Sequence, residues 1–175
     1  MAKTVATCVT ATQSHALLRF SRQEVSSAPA SWLRTYSRSS STGASRLYVQ
    51  RHYGQPTGHL QRMTLRLDGF ASLNSPYEGG QMLTKPFMFA GSQLEINYST
   101  SAAGSVRVEI QQTDGTPVPG FTIDECVEII GDEISRVVAW KAGSNVSRLA
   151  GTPIRLRFVM KDADLFSLRF GEPIH

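Results

Sequence analysis

The 175-residue chain has two cysteines, Cys8 and Cys126, and no CxxC pair. With four scattered histidines, that excludes a four-ligand zinc centre at any usual spacing. A Cys8–Cys126 disulfide would tie a low-complexity segment to the core, so two free thiols are expected. Long apolar runs are missing as well, and no segment reads as a membrane span. There is no GxSxG, HExxH, P-loop or GxGxxG string, which removes support for serine-hydrolase, zincin, nucleotide and dinucleotide chemistry. No stretch carries a convincing 3.6-residue apolar period over three turns.

Anions are scarce at one end only. Residues 1–45 hold Lys3, Arg19, Arg22, Arg34 and Arg38 against Glu24, so the net charge of +4 resides there. The remaining residues carry thirteen charges of each sign. A nucleic-acid interface needs cations clustered on structured elements, so neither a nucleic-acid partner nor a membrane is expected. A binder acting through the basic tail is the least favoured alternative. The Ser- and Thr-rich start reads as a disordered or partly helical tail, with a short helix conceivable near 14–25. It has no continuous apolar stretch like that of a signal peptide, although its acid-poor composition also fits a transit peptide.

What is present, from Arg46 on, is a period of two. Leu47, Val49, Met63 and Leu65 alternate with polar neighbours on either side of "GQPTG" (54–58), which predicts a hairpin over 46–68. Leu94, Ile96 and Tyr98 repeat the pattern, as do Val106, Val108 and Ile110. Ile154, Leu156, Phe158 and Met160 follow, then Phe166, Leu168 and Phe170. Strands of this kind, separated by "YEGG", "TDGTPVPG" and "KAGSN", predict an all-β antiparallel sandwich, jelly-roll-like, over 69–175.

Chemistry-bearing candidates are few. Asp124, Glu125, Glu128, Asp132 and Glu133 crowd ten residues, as a calcium site or an acid/base pair would; a solvated loop is the plainer account. Asp162 and Asp164 in "KDADLF" pose the same choice, with a hairpin turn as the simpler explanation. His52 and His59 flank the "GQPTG" turn and could meet across it, two metal-competent rings without a third ligand. Trp140 ends "ISRVVAW" and offers either a sugar-stacking face or core packing. Asn97 and Asn145 stand in N-x-S/T strings. The candidate ligand-binding set is Trp140, Asp124, Glu125 and Asp132, with no cofactor and no metal assigned.

The strings "LRLDGFASL", "GGQMLTKPFMF", "AGSVRVEIQQTDGTPVPGF", "DEC" and "VVAWKAGSNVSRLAGTPIRLRFVMKDADLFSLRF", in that order, carry a further indication. They resemble the C-terminal end of large secreted bacterial proteins related to the invertase and levanase type of glycoside hydrolases. Such proteins join a five-bladed β-propeller to a β-sandwich. The resemblance covers about 46–175 and implies that 46–67 corresponds to last-blade strands and 69–175 to the sandwich. It implies secretion. Catalytic acids of that family project from the propeller, which has no counterpart here, and Glu125-Cys126 falls inside the sandwich, so no catalytic residue carries over. The expectation is a non-catalytic, carbohydrate-associated module. It would bind glycan weakly or form a homodimer through the surface that once met the propeller. The alternative is a small glycosidase-like hydrolase using the acids of 124–133, assisted by a metal.

Overall fold

The computed structural model describes residues 37–38 and 44–172. Most of the tail expected over 1–45 lies outside the described residues, including the helix considered near 14–25 and Cys8. Contact density divides the chain into two compact units, with the boundary between Ala71 and Ser72. The described residues are strands, turns and one short 3-10 turn at Ser147–Leu149, in an all-β antiparallel arrangement.

The first unit is a three-stranded sheet in the order β1 (Ser37–Arg38), β2 (Ala44–Arg51), β3 (His59–Arg66). Strands β2 and β3 pair in unbroken register, with Leu47 opposite Met63 and Ser45 opposite Leu65. Side chains two apart share a face, so Leu47, Val49, Met63 and Leu65 form one apolar stripe. The connecting turn is longer than the "GQPTG" string suggests. His52 and Gly54 both take positive φ, and the amides of Gln55 and Gly58 close on the carbonyls of His52 and Gln55.

The second unit is one five-stranded antiparallel sheet built on β6 (Gln93–Gln111) and β8 (Arg155–Gly171). These two long strands pair along almost their whole length. Strand β7 (Asp132–Val137) borders the first half of β6, while β4 (Leu73–Ser75) and β5 (Gly80–Leu83) succeed one another along β8. The alternation read from the sequence sets the faces: Leu94, Ile96 and Tyr98 are buried, and so are Val106, Val108 and Ile110. One continuous core takes residues from both halves of β6, so the sheet curls over a single interior.

The curl has a local cause. Between Thr100 and Ser105 the register of β6 against β8 slips, and Asp162 on the facing strand takes a φ of 42°. Bulges of this kind bend a strand and increase its twist. Gly104 is required there, because a Cβ would lie 2.3 Å from the Asp162 carbonyl oxygen. "KDADLF" is therefore no hairpin turn: β8 runs straight through it. A second slip, at Asn97/Tyr98, sets Leu165 opposite Tyr98. Leu165 thereby enters the core in place of Phe166, which the alternation had grouped with Leu168 and Phe170.

The acid-rich stretch between β6 and β7 is bound to the sheet. Val106 and Ile129 exchange backbone hydrogen bonds, and Ile110 receives one from Val118 and gives one to Phe121. This segment thus covers the half of β6 that β7 does not reach, and it delivers Val118, Phe121, Cys126 and Ile129 to the core. Covering an edge in this way satisfies its backbone groups without a regular strand.

Candidate functional site

Trp140 is a core residue, 2 % exposed. Its indole N–H donates to the Val108 carbonyl at 3.0 Å, and its ring meets Phe121 edge-to-face with centroids 5.0 Å apart. Of the two expectations for this residue, core packing is the arrangement adopted; a buried ring offers no face to a sugar. The strand expected to end at Trp140 stops at Val137, and Gly143, with positive φ, turns the chain back onto Trp140.

The acids of 124–133 do not converge. Asp124 is exposed in a turn, and Asp132 begins β7 beyond the buried Ile129. The carboxylate of Glu125 accepts hydrogen bonds from the Thr122 amide and hydroxyl, at 3.3 and 3.0 Å, and these hold its carboxyl below the usual value. Glu133 pairs with Arg136 at 3.2 Å on the exposed edge strand. Among the described residues no three His, Cys, Asp or Glu side chains are grouped as a metal ion would need. Asp164 accepts from Ser72 and Asn74, at 2.7 and 3.2 Å, and ties β4 to β8.

Two buried carboxylates escaped the sequence reading. Glu95, 4 % exposed, accepts two hydrogen bonds from Arg169, at 2.6 and 3.0 Å, and another from the Ser135 hydroxyl. Glu109, 3 % exposed, accepts from Gln111, Arg157 and the Ile123 amide. Both lie on the non-core face of β6, directly opposite their arginines on β8. Alternation with apolar neighbours reads as a solvent-facing position, so their burial shows only once β8, β7 and the 117–123 segment are in place. Their acceptor sites are taken up in binding β7 and the 117–123 segment to the sheet. Buried Asn97 is likewise inaccessible to a modifying enzyme, and Asn145 caps the Ser147 amide in a local turn.

Two surface features stand apart from this internal wiring. Tyr77, 60 % exposed, sits on the turn before β5, and the Lys161 ammonium lies 4.3 Å from its ring centroid. That turn is fixed to β8, since the Pro76 carbonyl accepts from the Gly79 and Asp162 amides. At the hairpin tip of the first unit, His52 and His59 do meet, with ring centroids 5.5 Å apart at 81°. Cys126 is a buried free thiol, its Sγ accepting from the Val108 amide at 3.2 Å; burial pushes its pKa up, away from reactivity. Among the described residues no helix is long and apolar enough to cross a membrane.

No protein-family model, curated protein or solved structure matches the chain.

Proposed function

We propose that residues 72–172 form a non-catalytic, carbohydrate-associated β-sandwich module, the accessory part of a glycoside-hydrolase-like protein. Its glycan contact is Tyr77. The observation that carries this reading is the exposed Tyr77 ring beside Lys161 on a turn pinned to β8. A tyrosine of this kind presents an apolar body and a polar tip, the combination that suits the C–H face and hydroxyl rim of a sugar ring. The substrate class comes from the resemblance of the ordered strings to proteins related to the invertase and levanase type. The small-hydrolase alternative has less support, because Glu125 is engaged by Thr122 and the other acids are dispersed and exposed.

Self-association belongs to the same proposal. Val127 and Ile130, 48 % and 52 % exposed, flank buried Ile129 and leave apolar surface on the covering segment. Burying such a patch against its own copy is the simplest use of it.

The test is an oligosaccharide array, including fructans of both the inulin and levan linkage, probed with the full chain and with Tyr77→Ala. Binding that falls about tenfold in the variant, roughly the loss of one aromatic contact, supports the reading. Absence of binding to any oligosaccharide at millimolar concentration, or binding indifferent to Tyr77→Ala, removes it.

A further inference from the structure

We infer that the sugar held by Tyr77 is acidic, an oligosaccharide of uronate units whose carboxylates are read by Lys161 and Arg107 on the outer face of the sheet. The inference rests on the reading of Tyr77 as a glycan contact and specifies the class of its ligand.

Alternation along the two long strands brings these groups to one side. Val106, Val108, Phe158 and Met160 point into the core, so Ser105, Arg107, Val159 and Lys161 stand on the opposite face. All four are partly exposed there. The register sets Lys161 directly across from Ser105, and Arg107 directly across from Val159. Arg107 and Lys161 are therefore diagonal neighbours, about 7–8 Å apart at the backbone. The turn that carries Tyr77 lies against β8 at the same level. Its Pro76 carbonyl accepts from the Asp162 amide, and the Lys161 ammonium is 4.3 Å from the Tyr77 ring centroid. From that turn across β8 to β6 is two strand spacings, about 10 Å. Along this path stand an aromatic ring, an ammonium, a hydroxyl and a guanidinium.

The two cations are uncommitted. Among the described residues Arg136, Arg157 and Arg169 each pair with an acid, whereas Arg107 and Lys161 pair with none. Glu109, buried on the same face, is already held by Arg157, Gln111 and the Ile123 amide. Glu78, Asp162 and Glu128 border the strip, the last through the Val106–Ile129 bridge, and none of them forms an ion pair with either cation. An anionic ligand completes such a pair of charges. The guanidinium fork takes a carboxylate through two parallel N–H bonds, and the ammonium adds a compact second charge. Ser105 offers a hydroxyl donor beside them. A uronate carries its carboxylate on the rim of the sugar ring. A ring stacked on Tyr77 thus presents that group to the adjacent ammonium, and following units pass over Ser105 toward Arg107.

The experiment compares an oligogalacturonate with its fully methyl-esterified form, binding to the full chain being followed by isothermal titration calorimetry at neutral pH and low salt. The two ligands share rings and linkage and differ at the carboxyl group, charged in one and neutral in the other. The free acid should bind about tenfold tighter than the ester, and the difference should shrink in about 0.5 M salt, where charges on a surface are screened within a few ångströms. Lys161→Gln and Arg107→Gln should each cut the advantage of the acid about threefold and leave the affinity for the ester unchanged, which also shows that the sheet is intact. Tyr77→Ala should weaken acid and ester alike. Equal affinity for acid and ester, both lowered by Tyr77→Ala, overturns the inference and leaves the glycan reading of Tyr77 standing. The same holds if neither ligand binds while a neutral oligosaccharide binds through Tyr77. An acid advantage that survives in the Lys161→Gln, Arg107→Gln double variant overturns the inference too. Acid binding indifferent to Tyr77→Ala overturns the inference and the glycan reading together.

Discussion

Replacing Trp140 by phenylalanine separates the two roles this residue could have, because its effect on stability is large and can be worked out from the fold. The substitution removes the indole N–H that satisfies the Val108 carbonyl at 3.0 Å inside the core. Leaving a buried acceptor unpaired costs about 1–3 kcal/mol. The smaller ring also vacates roughly 40 Å³ beside Phe121, and at about 24 cal/mol per Å³ of residual cavity this adds about 1 kcal/mol. The total is about 2–4 kcal/mol, and Trp140→Ala should reach about 3–5 kcal/mol. In a domain of about 100 residues each kcal/mol moves the melting temperature by about 4–8 °C. Thermal unfolding followed by far-ultraviolet circular dichroism should therefore show Trp140→Phe melting on the order of 10–30 °C below the parent. A Trp140→Phe protein melting within a degree or two of the parent, with weakened oligosaccharide binding, would refute the reasoning and restore the exposed-platform role.

Other expectations test the sheet and its buried groups. Gly104→Ala forces a Cβ against the Asp162 and Lys161 carbonyls, 2.3 and 2.7 Å away, and should cost about 2–3 kcal/mol in urea denaturation, whereas Gly115→Ala, with open space around it, should be destabilised only by the strain of alanine at a positive φ. Tyr98→Phe removes the hydrogen bond its hydroxyl donates to the Ile130 carbonyl at 3.0 Å, and should cost about 1 kcal/mol by the same measurement. Burial and the nearby Glu133 raise the Tyr98 pKa, so its contribution to stability is fully present below the unfolded value near 10. That contribution is lost as pH rises through the folded value, and in a phenolate absorbance titration Tyr98 should ionise above the ordinary tyrosine value. Cys126 should resist a thiol reagent in the native protein and react on addition of urea; fast native labelling of Cys126, located by peptide mapping, would contradict its place in the core.

Much of the fold was legible because alternation is a direct image of a half-buried strand. Leu94, Ile96 and Tyr98, and again Val106, Val108 and Ile110, entered the core as the pattern required. The hairpin is there too, with Leu47 facing Met63. What could not be read was continuity. "STSAAGS" and "KDAD" carry no apolar period, so each long strand looked like two short ones; bulges facing each other across β6 and β8 let both strands pass through. Phe166 was misplaced for the same reason, since a one-residue slip exchanges the two faces of a strand.

The candidate site was less legible. Acidity drew attention to 124–133, where the carboxylates are exposed or locally bonded, while the buried acids Glu95 and Glu109 were invisible without knowing that Arg169 and Arg157 stand opposite them. Tyr77 gave no signal beyond its place in a turn. His52 and His59 were visible as a pair, but that both rings hydrogen-bond to Thr57, each at 2.9 Å, needed the shape of the turn.

We have proposed that this chain carries a sugar-hydrolase-like module without catalysis of its own. Incubation of the full chain with the oligosaccharides it binds, followed by measurement of released reducing sugar, tests that claim most directly. The account predicts release at the background rate, unchanged by Glu125→Gln or Asp132→Asn. Release well above background, abolished by either substitution, would contradict it.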